Sequence, residues 1–363
     1  MPYHPYEAEL LPLPNNSINC MSFLEELLAA SSKLEVYKEK LKDSKLDSYW
    51  FMPLLQKKES LASSVMEGTK ATLEDVLSYQ NTPNIDDTSL IEVENYNEAM
   101  WQGFTFLSKN KFSNDFFFTL HNILMYGSSS YHGQIGQYRA CQNYISREDN
   151  THTITYIPPS PDKIQKLMTN LIDYLNSPKD SLPDLVRAAI VHAQFETIHP
   201  FEDGNGRVGR ILIPLQMVSA KLIDLPCFFI SEALEANKHK YYNLLNGLRT
   251  DGDWNAWIMF FLESVARQCG NYINLISEIN ALYEKDLKLA CEGTKTSNAI
   301  TVMNTLYRYP VTNSKRLQEH TNLPPASLNR MLNSLVGKKI LYTDNRQRRK
   351  TFYYYGLLNL ITK

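Results

Sequence analysis

Apolar residues recur at intervals of three and four along most of the chain, which is the spacing of one helical face. This spacing predicts helices over residues 23–41, 60–67, 95–107, 116–125, 164–175, 185–198, 241–245 and 254–262. Thr72 and Asp75 form a capping-box pattern that starts another helix, and a polar loop is expected near residues 81–87. The fold class predicted is therefore mainly α.

One stretch departs from the helical spacing. Alternation in residues 136–139 and 153–159, on either side of a polar tip at residues 146–150, predicts a β-hairpin.

Residues 294–363 have a different organisation from the rest of the chain. The pattern predicts three short helices over 300–309, 314–320 and 326–336, followed by strands around residues 344–350. This order resembles a winged helix-turn-helix, with the basic stretch as its wing. Such a module can bind DNA phosphates through Arg346, Arg348, Arg349 and Lys350, or it can be a surface for protein docking or dimerisation.

Composition narrows the classes of protein. The 363 residues allow two or three domains, and a hydrophobic content of 43% supports buried cores. A formal net charge of −2 gives the whole chain no attraction to nucleic acid or membranes, so DNA is not the favoured partner. Five scattered cysteines without C-x-x-C spacing predict neither a disulfide framework nor a zinc site.

The amino terminus lacks the basic and apolar regions of a signal peptide. The apolar stretch 211–230 is interrupted by Lys221 and Asp224, so it is not predicted to span a membrane. We expect a cytoplasmic protein.

The richest chemistry lies in residues 199–210, with the sequence HPFEDGNGRVGR. Pro200 disfavours helical geometry at the preceding residue, so His199 should end the helix 185–198 with an exposed imidazole. The loop Gly204-Asn205-Gly206 can adopt positive φ angles and directs backbone N–H groups into one concavity ahead of the next apolar run. A loop that enters a helix in this way is an anion site.

Three charged residues complete this anion site. Asp203 would repel a phosphate unless a cation lay between them, which suggests Mg²⁺. Arg207 and Arg210 lie three apart on one helical face, where both guanidinium groups can bind phosphate oxygens. The inferred ligand is a polyphosphate with a metal.

Two other interpretations of these residues are weaker. A capped helix junction with a surface salt bridge needs neither the paired arginines nor the two glycines. A metal site of His192, Glu196, His199 and Asp203 lacks the H-E-x-x-H order, and His192 is interpreted as a packed helix residue.

The run 199–210 resembles the Fic family signature H-P-F-x-D/E-G-N-G-R-x-x-R and matches it at every defined position. The resemblance implies transfer of AMP from ATP to a hydroxyl side chain of a target protein. It implies that His199 is the general base, that Asp203 holds Mg²⁺, and that the loop Gly204-Asn205-Gly206 is the anion hole. It further implies that Arg207 stabilises the phosphates in the transition state and that Arg210 binds the γ-phosphate.

The same resemblance assigns two further elements. In Fic proteins the hairpin before the signature is a flap that aligns the target segment by strand addition. A Tyr-Tyr pair lies near the adenine and ribose, so Tyr241 or Tyr242 is expected at the nucleoside.

A second motif lies far from the first in sequence. Residues 63–68, SSVMEG, resemble the inhibitory motif [S/T]-x-x-x-E-[G/N] of Fic proteins. Glu67 is expected in the last helical turn before Gly68, where a carboxylate opposes the helix dipole and favours a cationic partner. By the resemblance, Ser63 and Glu67 form the inhibitory element, and Glu67 pairs with Arg210 in place of the γ-phosphate.

These observations predict four segments: an amino-terminal inhibitory region (1–90), a Fic core (91–265), a connecting helix (266–293) and a winged-helix domain (294–363). The function expected is Mg²⁺-dependent AMP transfer from ATP to a protein Tyr, Thr or Ser, restrained by Glu67. Two further functions stay open: hydrolytic removal of AMP at the same site, and a nucleotide-sensing DNA-binding regulator, against which an intact His199 argues. Gly206 argues against a kinase-like variant that carries Lys there, and a homodimer is a further hypothesis.

Overall fold

The computed structural model describes residues 4–14, 16–79, 88–127, 133–146, 154–293, 295–344, 346 and 350–362. The chain divides into two compact units, each built from several segments. The first unit comprises Met1–Leu34, Ala62–Thr69 and Ile91–Cys269. The second comprises Glu35–Leu61, Lys70–Leu90 and Gly270–Lys363.

Helices make up most of the described chain, as the spacing of apolar residues predicts. After a 3-10 turn at Cys20–Phe23, the first helices are α1 (Leu24–Lys42), α2 (Ser48–Met66), α3 (Leu73–Tyr79), α4 (Thr88–Leu107), α5 (Asn114–Met125), α6 (Pro161–Asn176), α7 (Asp184–Ile198) and α8 (Asn205–Ser219). They are followed by α9 (Ser231–Glu235), α10 (Lys238–Asp251) and the long α11 (Trp254–Cys291). The predicted polar loop near residues 81–87 lies outside the described residues.

The capping box before α3 has the expected reciprocal bonds. The backbone N–H of Asp75 donates to Thr72 Oγ1 at 3.2 Å, and the backbone N–H of Thr72 donates to Asp75 Oδ2 at 2.9 Å. Each bond satisfies a donor that the first helical turn leaves without a partner.

The core of the first unit is the pair of α7 and α8, which pack against each other. From Leu185 to Ile198 every residue of α7 except Arg187 is buried. A helix that is buried on nearly all sides must be enclosed by other elements, and α5, α6 and α10 pack on this pair. Trp257 of α11 donates its indole N–H to the Ala189 carbonyl of α7 at 2.8 Å. The loop between α7 and α8 is therefore fixed at both ends by the core.

A β-hairpin lies between α5 and α6, as predicted, but the predicted position of its first strand is wrong: residues 136–139 form no strand, and Ser146, predicted in the tip, lies in the first strand. The strands β1 (Ile145–Ser146) and β2 (Ile154–Tyr156) are antiparallel, and Ile145 pairs with Tyr156. Residues 147–150 of the predicted tip lie outside the described residues, as does Thr153. The hydroxyl of Tyr156 donates to the carbonyl of Thr197 at 2.7 Å, so the base of the hairpin is bonded to the end of α7.

The second unit contains the carboxy-terminal helices and a small sheet. The elements are α12 (Thr296–Arg308), β3 (Val311–Asn313), α13 (Ser314–Thr321), α14 (Pro325–Gly337), β4 (Tyr342–Thr343), β5 (Thr351–Tyr353) and α15 (Tyr355–Ile361). The sheet order is β3-β5-β4, and both pairings are antiparallel. The three predicted helices are confirmed, whereas β3 and α15 were not predicted.

A buried polar chain fixes these elements within the second unit. Tyr354 donates its hydroxyl to Asp286 Oδ2 of α11 at 2.7 Å, and the hydroxyls of Tyr307 and Tyr354 lie 3.2 Å apart. Because every member has a partner, this buried network is compatible with a stable core.

The predicted segment boundaries do not coincide with the boundaries of the two compact units. The boundary between residues 265 and 266 falls inside α11, which runs unbroken from Trp254 to Cys291. The predicted amino-terminal region 1–90 contributes residues to both units.

All five cysteines are free thiols, in agreement with their scattered positions. None of the described helices combines the length and the apolar character needed to cross a membrane.

Candidate active site

The loop between α7 and α8 is built by three local features of residues 199–205. His199 is the C-cap of α7, with φ 50° and ψ 61°, and its N–H donates to the Phe195 carbonyl at 2.9 Å. Gly204 has φ 75° and caps the start of α8. The Asn205 side chain accepts from the N–H of Phe201 and donates to its carbonyl, both at 2.8 Å. These bonds fold the loop back on itself.

Asn205 thus begins α8, and its side chain also holds the loop together through the backbone of Phe201. Its side chain is buried and occupied by Phe201, so only its backbone N–H can contribute to an anion site. The first helical N–H groups, at residues 205–207, precede the first intrahelical bond, from Val208 N–H to the Gly204 carbonyl at 3.0 Å. These groups point along the helix axis out of its amino end, where they favour an anion.

His199 is half-buried, not exposed as the sequence suggests. Its Nδ1 is buried and makes no hydrogen bond within the described part of the chain. The backbone of His199 is left-handed, and its carbonyl accepts a hydrogen bond from Arg139 Nε at 2.9 Å. Burial, together with the positive charges of Arg249 and Arg139, lowers the pKa of His199 to about 3. At neutral pH the imidazole is therefore an uncharged base.

Asp203 remains accessible, with its side chain 48% exposed. Its Oδ1 accepts from the N–H of Gly204 at 2.6 Å, and its Oδ2 lies 3.8 Å from Arg207 Nη2. Among the described residues no group of three or more His, Cys, Asp or Glu side chains converges on a metal position. A single open carboxylate beside an anion site fits Mg²⁺, which commonly takes one or two carboxylates and completes its shell with water and phosphate oxygens.

The hydrogen bonds of His192 argue against the alternative metal site of His192, Glu196, His199 and Asp203. Both ring nitrogens of His192 already have partners, the Gly209 carbonyl at 3.1 Å and the Tyr241 hydroxyl at 3.0 Å. His192 is a packed helix histidine, as its position in the sequence suggests.

Arg207 is almost fully buried, with its side chain 4% exposed. Its Nη1 lies 3.3 Å from Glu92 Oε2 of α4, and its Nη2 contacts Met125 Sδ at 3.7 Å. Within the described residues, Nε and Nη1 of Arg207 make no hydrogen bond of normal geometry. A buried guanidinium with unused donors is suited to an anionic ligand, because leaving such donors unsatisfied is costly.

Arg210 is also buried, but its Nε and Nη2 donors are used by the chain itself. Nε donates to Ser63 Oγ at 2.7 Å, and Nη2 donates to the Ser63 carbonyl at 3.0 Å and to Glu67 Oε1 at 2.5 Å. Although burial raises the pKa of Glu67, the charge of Arg210 and its hydrogen bond outweigh this and hold the pKa below its usual value. The structure thus brings together Ser63, Glu67 and Arg210, although Ser63 and Arg210 are 147 positions apart.

The position of Glu67 differs slightly from the expected one. α2 ends at Met66, so Glu67 lies in the turn after the helix, followed by Gly68 with φ 99°. Its Oε1 also occupies the space beside Gly206 where a β-carbon would lie, so a side chain at position 206 would collide with it. The Glu67 carboxylate therefore covers part of the loop that is expected to bind phosphate.

The two tyrosines of α10 have different environments. Tyr241 is buried, and its hydroxyl is occupied by His192 Nε2. Tyr242 is 37% exposed and lies edge-on to Tyr241, with ring centroids 5.0 Å apart. Of the pair, Tyr242 is the residue whose ring is accessible to a nucleoside.

Four residues near the loop were not identified as site residues from the sequence. Arg139 donates to the His199 carbonyl at 2.9 Å and to the Pro159 carbonyl at 2.5 Å, so it joins the hairpin base to the motif. His121 accepts from the N–H of Gly136 at 2.9 Å, and its Nε2 lies 3.1 Å from the Asp203 carbonyl. Glu92 pairs with Arg207 as described above. The contacts of these three residues with the loop and α8 span 60 or more positions, and no local pattern marks them.

The fourth residue is Glu196, which is buried three positions before His199. Burial raises its pKa to about 7, and its Oε1 has no hydrogen bond within the described residues. The sequence drew attention to Glu196 only as a member of the alternative metal site with His192, His199 and Asp203.

Comparison with known proteins identifies the domain that contains this site. Residues 111–217 match the sequence model of the Fic/DOC family, and residues 24–105 match that of the Fic/DOC family N-terminal region. "Protein adenylyltransferase Fic" of Culex quinquefasciatus is 30% identical over 146 residues, which are 40% of this chain and 26% of that protein. "Protein adenylyltransferase fic-1" of Caenorhabditis elegans is 27% identical over 170 residues, 46% of this chain and 30% of that protein. The chain thus matches less than a third of the length of these relatives.

Solved structures share the fold. A Fic family protein from Desulfovibrio desulfuricans G20 has a TM-score of 0.59 at 17% identity, covering 97% of this chain and 98% of that one. Fic-1 (aa134–508) from C. elegans has a TM-score of 0.53 at 18% identity, covering 71% and 73% of the two chains.

Proposed function

Since this chain carries a Fic/DOC family domain, we propose that it transfers AMP from ATP to a Tyr, Thr or Ser hydroxyl of a protein, and that Glu67 restrains the reaction. The proposal rests chiefly on one observation: an uncharged, half-buried His199 lies on the same short loop as an open carboxylate and a helix amino end. A base, a metal ligand and an anion site within seven residues are the parts that nucleotidyl transfer needs.

In the proposed reaction the acceptor hydroxyl oxygen bonds to the α-phosphorus of ATP, and the bond from that phosphorus to the bridging oxygen of the β-phosphate breaks. His199 takes the hydroxyl proton, and pyrophosphate leaves. The N–H groups at the start of α8 and the guanidinium of Arg207 stabilise the negative charge on the phosphates. Mg²⁺, held by Asp203, would neutralise charge on the phosphate oxygens. Tyr242 would contact the nucleoside.

Glu67 opposes this reaction by occupying the donors that the third phosphate would need. Arg210 can bind a γ-phosphate only when its bond to Glu67 opens, and the Glu67 carboxylate would repel the phosphate that replaced it. Both effects act in a buried setting, where charge interactions are strong.

The decisive experiment compares Glu67→Gly with the wild-type chain, using ATP labelled in the α-phosphate and Mg²⁺. Protein-bound label should rise in the variant, on the chain itself or on added lysate proteins. Label retained by the protein after denaturation distinguishes transfer from ATP binding. If the Glu67→Gly and wild-type chains incorporate the same small amount of label, the inhibitory role is wrong. If neither incorporates any, AMP transfer is wrong as well.

Hydrolytic removal of AMP from a modified protein is the second candidate function, and the position of Glu67 favours it. The Glu67 carboxylate is one-third exposed and interacts electrostatically with His199, so it is placed to orient a water molecule there. In that case wild type should release AMP from a modified protein, and Glu67→Gly should lose this release while it gains transfer. Release that is unchanged by the substitution would rule out this role for Glu67.

A further inference from the structure

The carboxy-terminal region has a charge that the whole-chain average conceals. Residues 294–363 contain twelve Lys and Arg but only two Asp and Glu, whereas residues 1–293 contain 25 and 37. The formal charge is thus about +10 in the last 70 residues and about −12 in the rest. Separation of charge on this scale within one chain indicates a polyanionic partner for the basic part.

Some of these basic groups are used within the second unit. Lys338 donates to the carbonyls of Leu289 and Glu292 at the end of α11. Arg308 lies over the Tyr49 ring at 4.5 Å, and Arg316 lies over the Tyr309 ring at 4.4 Å. Among the described residues of this region six others are exposed: Lys295, Lys315, Arg330, Lys339, Arg346 and Lys350.

The two acidic residues offset little of this charge. Asp344 is committed to Arg346, whose Nε lies 3.7 Å from its Oδ2. Glu319 is the remaining acid of the region.

The outer face of α14 identifies the kind of polyanion. Leu328, Met331, Leu332 and Leu335 are buried and form the inner face. The exposed residues recur at helical spacing on the other side, and within the helix they are Pro325, Ala326, Asn329, Arg330, Asn333 and Gly337. No acidic and no large apolar side chain belongs to this exposed set.

The exposed side chains of α14 are better suited to bind the edges of base pairs than to bind the surface of another protein. Asn and Arg are the residues that bind adenine and guanine with two hydrogen bonds in the major groove. A protein interface would instead need apolar or aromatic residues at its centre, which this face lacks. α14 is also the second of two helices joined by a short turn, which is the arrangement that presents a helix to the major groove. α13 precedes it, and the turn between them is Asn322-Leu323-Pro324, in which Asn322 has φ 52°.

We propose that the second unit binds duplex DNA, with the exposed face of α14 in the major groove and the exposed lysines and arginines around it on the phosphates. α14 has thirteen residues and is roughly 20 Å long, and an α-helix with its side chains is about 10–12 Å across, which suits a groove about 12 Å wide. Arg330, Asn329 and Asn333 read bases, and Lys315, Arg346 and Lys350 supply contacts that do not depend on sequence.

The test uses the full chain and a fluorescein-labelled duplex of mixed sequence, about three helical turns long. Anisotropy should show binding at low salt that weakens steeply as salt rises, with a log–log slope near −0.9 for each phosphate contact. Arg330→Ala should lower the affinity by roughly tenfold. The matched control is Arg267→Ala, which removes an exposed arginine of α11 outside the basic region and should leave binding unchanged.

Sequence selection from a random duplex library separates base reading from charge alone. The wild-type chain should recover a motif that Arg330→Ala and Asn333→Ala each change. Circular dichroism checks that these surface variants fold, and AMP transfer serves as an independent check of the first unit.

Several results would overturn the proposal. The first is absence of binding at low salt. The second is equal weakening by Arg330→Ala and Arg267→Ala. The third is competition by single-stranded DNA or RNA as strong as that by duplex DNA, which would assign the surface to another nucleic acid.

Discussion

Arg210 and Arg330 illustrate two ways in which this chain uses positive charge. Arg210 is 1% exposed and has its donors engaged by Ser63 and Glu67, which are fixed by the same unit. Arg330 is exposed on α14, in a region with ten more basic than acidic residues. The buried guanidinium already has an anionic partner within the chain, whereas the exposed one has solvent.

The difference follows from dielectric screening. Charges removed from water interact strongly and are little affected by salt, so one carboxylate can control Arg210. Exposed charges are screened, so many must act together before they hold a partner. The buried region is thus suited to regulation by the chain's own groups, and the exposed region to association with a large polyanion.

The largest effect is expected when the proposed general base of the buried site, His199, is removed. His199→Ala should reduce AMP transfer by on the order of 10²–10⁴, because it removes the proposed general base. ATP binding should survive, since the imidazole acts on the hydroxyl. Transfer is measured by label incorporation in the Glu67→Gly background, and His239→Ala, at an exposed histidine of α10, is the control. Full activity of the His199 variant would refute the assignment.

Burial should also make stability depend on pH through Glu196. In the unfolded chain this carboxyl has a pKa near 4.5, and in the fold burial raises the pKa to about 7. Between these pH values the unfolded chain releases a proton that the folded chain keeps, so the wild type loses stability as pH rises, by roughly 3 kcal/mol. Glu196→Gln does not titrate and should gain that amount over wild type between pH 4.5 and pH 8.

Urea unfolding at the two pH values measures this difference. Glu235→Gln, at an exposed position on α9, should show no such change. If the Glu196 variant and the wild type respond to pH in parallel, the carboxyl is not held neutral by burial.

A third prediction concerns the pairing of Arg210. Glu67→Gly should tighten ATP binding by about 5- to 150-fold, the usual range of coupling between two competing groups. Glu67→Gln keeps a hydrogen-bond acceptor for Arg210 without its charge, so its affinity should fall between those of wild type and Glu67→Gly. Arg210→Ala should not tighten binding, because it removes a phosphate ligand along with the pair. Calorimetric titration with ATP measures these affinities. Equal affinities for wild type and both Glu67 variants would contradict competition between Glu67 and the γ-phosphate for Arg210.

The smallest effect is expected in the exposed basic region, at Lys350. Lys350→Ala should weaken DNA binding equally for all sequences and reduce the salt slope by about one, because a phosphate contact carries no base information. Anisotropy titrations at several salt concentrations measure both quantities. A change in the selected DNA motif would instead place Lys350 at the bases.

Local patterns predicted the regular elements well. The helices and the hairpin follow from periodicity and capping signals, such as Thr72 with Asp75, which depend on residues a few positions apart. The unpredicted β3 and α15 are three and seven residues long, too short for periodicity to reveal. Charge averaged over the whole chain conceals the basic carboxy-terminal region, because the charges of its two parts nearly cancel.

The sequence by itself determined which groups form the candidate site, because His199, Asp203, Arg207 and Arg210 are adjacent on one loop and one helical turn. Only the tertiary structure decided what surrounds them. It paired Glu67 with Arg210 and Glu92 with Arg207, and it placed Arg139 and His121 within hydrogen-bond distance of loop carbonyls. It also left His199 half-buried where the sequence suggested exposure. The physical reason is that the pKa values and hydrogen bonds of these groups depend on burial and on partners 60 to 147 positions away, and distant partners leave no periodic trace in the chain.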